Sequence, residues 1–335
     1  MQKFLIIQTA FIGDAVLATA LVEKLHNFYP DAKIDFVVRK GNEALLINHP
    51  FLNEVLVWNK NKNKYPNLFN LLKIIRNNKY DVIVNVQRFA ATGFLTVFSG
   101  AKKTVGFDKN PWSFLFSKKV RHVVSTSENF LHEVERNQKL IENITDSIAA
   151  KPKLYPSKDD YEKVKHYQTS PYICVAPASV WFTKQYPADK WMSLLNNFLP
   201  QVKIFLLGAP GDKSLCESIK TGTTHPDVIN LAGKLNFLQS AALQQDAVMN
   251  YVNDSAPMHF ASAVNAPVTA VYCSTVPSFG FGPLSDKSFV VQTNEPLACK
   301  PCGLHGYQAC PLGHFKCAHT INDAQLLSSL NSSFC

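Results

Sequence analysis

At 335 residues the chain exceeds what one ordinary core supports, so two domains of similar size are expected. Its 46% hydrophobic and 18% charged residues are those of a globular protein, and no run of eighteen apolar residues exists to span a bilayer. The 34 basic against 25 acidic residues give a formal charge of +9, which favours an anionic partner; the basic residues are scattered, which excludes a nucleic-acid-binding tail.

The amino terminus resembles the start of a signal peptide, but Gln8, Thr9 and Asp14 break its apolar core. We read 4–7 as a first strand, which places the protein in the cytoplasm. The following turn, Gln8 to Ala15, lacks the GxGxxG dinucleotide pattern. It offers Gly13 for a tight turn and the Asp14 carboxylate at the carboxyl end of the strand. Read alone, Asp14 is a helix cap. A helix follows over 14–28, with Val16, Leu17, Ala20, Leu21 and Leu25 at helical spacing. Strands are expected over 33–38 and 81–86, with a helix over 68–77 between them. This alternation predicts a parallel sheet covered on both faces. Local basic groups lie at 60–64, Lys102-Lys103 and Lys118-Lys119-Arg121. The polar, proline-bearing stretch 150–157 interrupts the pattern and begins the interdomain connection, with a short helix over 161–167.

The pattern then restarts. Strands are expected over 172–176, 202–207, 247–252 and 268–272, and helices over 190–198, 213–219 and 237–245. The turn 176–187 carries Ser179 and Lys184, a hydroxyl and an ammonium suited to a phosphate. Leu231-Ala232-Gly233-Lys234 forms a second turn, with Lys234 the weaker phosphate candidate. The segment Asn253-Asp254-Ser255-Ala256-Pro257-Met258-His259 reads as strand, tight turn and helix. Asp254 or Ser255 suits the cap and Pro257 the first turn, and the exposed N–H groups of such a helix start suit a phosphate. A well-capped structural helix is the competing reading. Two similar α/β halves with a cleft between their strand carboxyl ends are the expected architecture, with no short-period repeat.

Cys299, Cys302, Cys310 and Cys317 follow a C-x2-C-x7-C-x6-C spacing among His305, His314 and His319. The second pair is too widely spaced for a usual zinc knuckle, and no redox-type strand and helix flank the first. Zinc is the lesser reading, and a disulfide is not expected in a reducing compartment.

Gly13-Asp14-Ala15, Lys184-x-x-Pro187, Leu231-Ala232-Gly233-Lys234 and Asn253-Asp254-Ser255-x-Pro257-Met258-His259 occur in the order seen in one family. The chain resembles the heptosyltransferases of glycosyltransferase family 9, which build the inner core of lipopolysaccharide. Asp81 to Arg88 and Ala101-Lys102-Lys103-x-x-Gly106-Phe107 fit it too. Cys310-Pro311-Leu312-Gly313-His314-x-x-Cys317 resembles a structural loop of the heptosyltransferase II branch.

The resemblance implies a GT-B fold: two Rossmann-like doubly wound domains facing each other across a cleft. Residues 1–160 would bind the acceptor and 161–335 the nucleotide-sugar. The implied reaction is inverting transfer of a heptose, or similar sugar, from ADP-heptose to a lipopolysaccharide inner-core acceptor. Asp14 would be the general base. Lys184, Ser179 and the helix start Asp254-Ser255-Ala256 would meet the departing diphosphate, with Lys234 and His259 in the same nucleotide-sugar set. Gly13, Arg88, Arg136 and the Lys102-Lys103 pair would serve the acceptor side. The implied enzyme needs no metal and no cofactor, and no DxD-like carboxylate pair is present. Its partners would be the sugar nucleotide and an anionic glycolipid, with peripheral contact at the inner membrane face and no nucleic acid. Ala256 departs from the family's usual glycine, which alters how closely backbone approaches phosphate. A GT-B-shaped sugar-nucleotide epimerase is the alternative, and a zinc-dependent nucleic-acid-binding protein a more distant one.

Overall fold

The computed structural model describes residues 1–125, 130–330 and 334. They divide into two compact units, one built from Met1–Ser125 and Leu131–Tyr155, the other from Phe130 and from Pro156 onward. The division precedes the expected 160/161 boundary, which falls inside a helix, Lys158–Lys165.

The first unit is a six-stranded parallel sheet. Its strands are β1 (Lys3–Ile7), β2 (Lys33–Arg39), β3 (Glu54–Trp58), β4 (Val82–Asn85), β5 (Lys103–Phe107) and β6 (Lys118–Val120). They lie in the order β3-β2-β1-β4-β5-β6. Four helices accompany them: α1 (Ile12–Phe28), α2 (Lys64–Asn78), α3 (Ala90–Val97) and α4 (Glu133–Gln138). The middle strands are buried along nearly their whole length, because a parallel sheet is covered on both faces. α1 is buried from Ala15 to Leu25 and packs against α4.

The second unit opens with α5 (Lys158–Lys165), whose start is fixed by a capping box between Ser157 and Asp160. There follow β7 (Tyr172–Ala176), α6 (Ala188–Leu195), β8 (Lys203–Leu206), α7 (Lys213–Gly222) and β9 (Val228–Asn230). Next come α8 (Phe237–Gln245), β10 (Met249–Asn253), α9 (Ala256–Ala263), β11 (Val268–Tyr272) and β12 (Ser288–Gln292). Two short helices, α10 (Lys316–His319) and α11 (Asp323–Leu327), follow. The strand order is β12-β11-β10-β7-β8-β9, again wholly parallel.

Counted within each unit, both sheets have the order 3-2-1-4-5-6 of the Rossmann fold. Strand order reverses between β1 and β4 in one sheet and between β7 and β10 in the other. Ligands of such sheets bind beyond the carboxyl ends of the strands at that reversal. The residues that follow these four strands therefore define the two regions of interest.

Candidate functional sites at the strand ends

In the first unit, Asp14 is the third residue of α1, partly buried, and caps the helix from that position. Its carboxylate accepts the Phe11 N–H at 3.1 Å. Gly13 precedes it within the same helical turn. The chain between β1 and α1 is braced from three sides. The Gln87 amide, beyond β4, donates to the Gln8 side chain. Asn42 donates to the Ala10 carbonyl at 3.2 Å. Lys60 Nζ donates to the Thr9 carbonyl at 2.7 Å and to its hydroxyl at 3.0 Å. Burial, with Arg39 and Lys64 nearby, pushes the Lys60 ammonium down to about 8.

Arg136 lies on α4 and is buried, ion-paired to Glu133 and bonded to the Val123 carbonyl at 3.4 Å. Burial brings its pKa down to about 10; Asp14 acts against that shift and Arg88 adds to it. His122, just past β6, is pushed down to about 4 by burial and then by Arg136 and Arg88. Asp14, Arg88, His122 and Arg136 thus share one electrostatic environment. Arg88 is exposed, its guanidinium 6.0 Å from the Phe89 ring centre.

Two groups expected on the acceptor side stand differently from Arg88. Arg136 is buried and ion-paired to Glu133. Lys102 and Lys103 stand at the amino end of β5, and Lys102 pairs with Asp81 at 2.7 Å, just ahead of β4. They lie at the end of the strands opposite Asp14.

In the second unit, Lys184 ends a one-turn 3-10 helix, Phe182–Lys184, after β7. Its ammonium pairs with Asp254 Oδ2 at 2.6 Å, and the Thr275 hydroxyl donates to the same oxygen at 2.7 Å. The pair therefore bridges the two strands at which sheet order reverses. Asn253, the last residue of β10, ties the same loops: its amide donates to the Pro177 carbonyl at 2.7 Å and accepts the Tyr186 N–H at 3.0 Å.

The expected side-chain cap on α9 does not form. Ser255 occupies the cap position, but its hydroxyl donates to the Asn253 carbonyl at 3.4 Å, and Asp254 is taken by Lys184 and Thr275. Ala256 is the first residue of α9, with Pro257 in its first turn. His259 is buried on the same helix. Ser179 lies partly buried in the 177–187 loop, where its carbonyl accepts the Gln185 amide at 2.6 Å. Lys234 is exposed in the turn after β9, which is tied to the end of β8 through Gly233 N–H and the Gly208 carbonyl at 2.9 Å.

The cysteine segment packs on this region. Thr183 N–H donates to the Tyr307 carbonyl at 3.0 Å, and its hydroxyl accepts from Tyr307 N–H at 2.7 Å and from Ser274 at 3.0 Å. Cys302 N–H donates to the Ser274 carbonyl at 2.8 Å. Burial, reinforced by neighbouring thiols, raises Cys302 and pushes Cys317 up to about 11. Among the described residues no group of three or more His, Cys, Asp or Glu side chains is arranged to hold a metal ion. The segment braces the Lys184 turn.

Sequence reading missed Lys60, Thr183 and Thr275 as supports of these turns. Thr275 carried a usable signal, since it follows a buried strand that lies beside β10. Lys60 and Thr183 act through partners remote in sequence, and no local pattern marks them.

Two doubly wound Rossmann domains with polar clusters at their strand carboxyl ends are the build of the GT-B glycosyltransferases. Residues 68–306 match the model of glycosyltransferase family 9 (heptosyltransferase), and the chain belongs to that family. It is 28% identical over 280 residues to lipopolysaccharide heptosyltransferase 3 of Escherichia coli, covering 79% of this chain and 82% of that one. It is 24% identical over 313 residues to lipopolysaccharide core heptosyltransferase OpsX of Haemophilus influenzae, covering 90% and 87%. The structure of E. coli ADP-heptose lps heptosyltransferase II superposes with a TM-score of 0.78 at 21% identity, over 98% of this chain and 97% of that one. The chain is a glycosyltransferase with the expected fold.

Proposed function

We propose that this enzyme transfers a heptose from ADP-heptose to a lipopolysaccharide inner-core acceptor with inversion, the donor held by the second unit and the acceptor by the first. The observation that carries the reading is the Lys184–Asp254–Thr275 cluster at the start of α9, placed where β7 and β10 end. A diphosphate there would meet an ammonium already held in place and the positive end of the α9 dipole. Asp254 keeps Lys184 extended before the donor arrives, and an ammonium has three donors, so both can be served at once. Ser179 follows β7 and Lys234 follows β9, both at the carboxyl ends of the strands, and they extend the anion site. His259, being buried, supports α9 instead of touching the donor.

Asp14 is the general base. The acceptor hydroxyl gives its proton to the carboxylate as its oxygen attacks the anomeric carbon, while the bond to the diphosphate breaks on the opposite face. Arg88 is the exposed charge for the acceptor's acidic groups. Arg136 is the buried positive charge that interacts with Asp14. Nothing in this scheme calls on a divalent ion.

The test is ADP release with EDTA present, using ADP-heptose and an inner-core acceptor. Release should require both substrates, and Asp14→Asn should lower kcat on the order of 10²–10⁴-fold. Asparagine can still accept the Phe11 N–H, so thermal stability should stay close to that of the parent chain. Undiminished turnover in the variant would remove Asp14 from the chemistry.

A further inference from the structure

The chain's positive charge is confined to one half. Residues 1–155 carry 22 basic and 13 acidic residues, whereas those from 156 on carry 12 of each. Within the first unit it is concentrated further: the stretch 55–80 has six basic residues and no acidic one, and 102–121 has six and one.

These two basic stretches frame a continuous band of apolar side chains. Phe69 on α2 meets Phe94 on α3 edge to face, with ring centres 5.7 Å apart. Phe94 contacts Phe98 at 4.8 Å, and Phe98 contacts Trp112 at 5.7 Å. The chain then turns through a one-turn 3-10 helix, Ser113–Leu115, none of whose residues is buried. Phe114 is 71% exposed and Leu115 49%, and Phe69 and Phe98 are themselves exposed. On α2, Tyr65 and Lys73 lie one helical turn either side of Phe69, so the row passes from aromatic to basic along one face. At the other border, Lys119 and Arg121 are exposed on and just after β6.

Exposed aromatic and aliphatic tips ringed by lysine and arginine, with Asp108 the one acid in the two stretches, are the chemistry of an interfacial surface. The apolar tips enter the headgroup boundary while the cations meet anionic lipid. We propose that the α2–α3 face and the 112–115 turn dock this protein onto an anionic bilayer surface. This deepens the proposed function, since it rests on an acceptor carried by a lipid. Duplex nucleic acid would use the same cations but has no place for Phe114 and Leu115.

The test is flotation of the full chain with vesicles of phosphatidylcholine alone and of phosphatidylcholine with phosphatidylglycerol. Binding should need phosphatidylglycerol and weaken with salt. Phe114→Ser/Leu115→Ser should reduce partitioning about tenfold, as expected from withdrawing two half-inserted side chains. Lys119→Glu/Arg121→Glu should reduce it at least about fivefold for each charge removed. Both variants should keep parental turnover on a water-soluble, lipid-free acceptor. Equal binding to neutral vesicles, or flotation unchanged in the Phe114/Leu115 variant, would overturn the proposal. So would salt-sensitive binding to duplex DNA but not to vesicles. Vesicle binding by a chain that transfers no heptose would count against the proposed reaction alone, and turnover without vesicle binding against the docking surface alone.

Discussion

The Lys184–Asp254 pair leaves little of either side chain to solvent, 15% and 9% respectively, so each charge is compensated chiefly by the other. Removing one partner strands the other, at a cost of about 2–3 kcal/mol for a pair this enclosed. Lys184→Met should therefore lower unfolding stability by about that amount, since Thr275 alone cannot satisfy the carboxylate. Lys184→Met combined with Asp254→Asn removes both charges and should recover most of the stability in denaturant titrations. Turnover should not recover, because the diphosphate has lost its ammonium. Parallel recovery of both would reduce the pair to a structural clamp. Asp254 also shows why a local reading of this site goes astray. An aspartate ahead of a proline-initiated helix looks like a cap, but a lysine seventy positions away in the chain competes for the carboxylate and wins.

At the scale of elements, the Lys184 turn is held in place by a neighbouring loop that meets it at a glycine. Gly306 has φ +76°, and a Cβ there would stand 2.9 Å from Thr183 Oγ1 and 3.0 Å from Lys184 Cγ. Thr183 is fully buried and engaged by Tyr307 and Ser274, so it has no room to retreat. Gly306→Ala should destabilise the chain by about 1–2 kcal/mol and displace Lys184. Kinetically this should raise KM for the sugar nucleotide more than KM for the acceptor. Equal changes in the two would mean that the strain does not reach Lys184. The elements around this turn differ in how well the sequence announces them. β7 and β11 are wholly buried runs, and α8 begins with an Asn236–Gln239 capping box, so their bounds follow from local pattern. The edge strands β3, β6, β9 and β12 are short or half exposed, and β6 starts with two lysines. Edge strands carry such residues because one side has no partner strand, which erases the periodicity that reveals the inner ones. The same holds for the site: the strand-end turns are legible, and the side chains that brace them from other strands are not.

For the whole molecule, the charge carried by the first half sets how it responds to acid. His122 stands among Arg88 and Arg136, and burial together with their charge lowers it to about 4 from the usual 6.5. In the unfolded chain it takes up its proton near 6.5; in the folded chain it resists until about 4. The unfolded state therefore binds more protons across that window, and stability present above it is lost as pH falls, levelling off below about 4. Because His122 is only about half buried, the loss is discounted for solvent screening to about 1–2 kcal/mol. His122→Asn cannot protonate, so its unfolding free energy should fall less steeply than the parent's between pH 6.5 and 4. The Phe107 ring, 4.9 Å away edge to face, loses its partner in both pH regimes and shifts the whole curve without changing its slope. Denaturant titrations of both proteins across this window separate the two contributions. Parallel curves would show that His122 protonates alike in the folded and unfolded chains, and that acid acts through repulsion spread over the basic half.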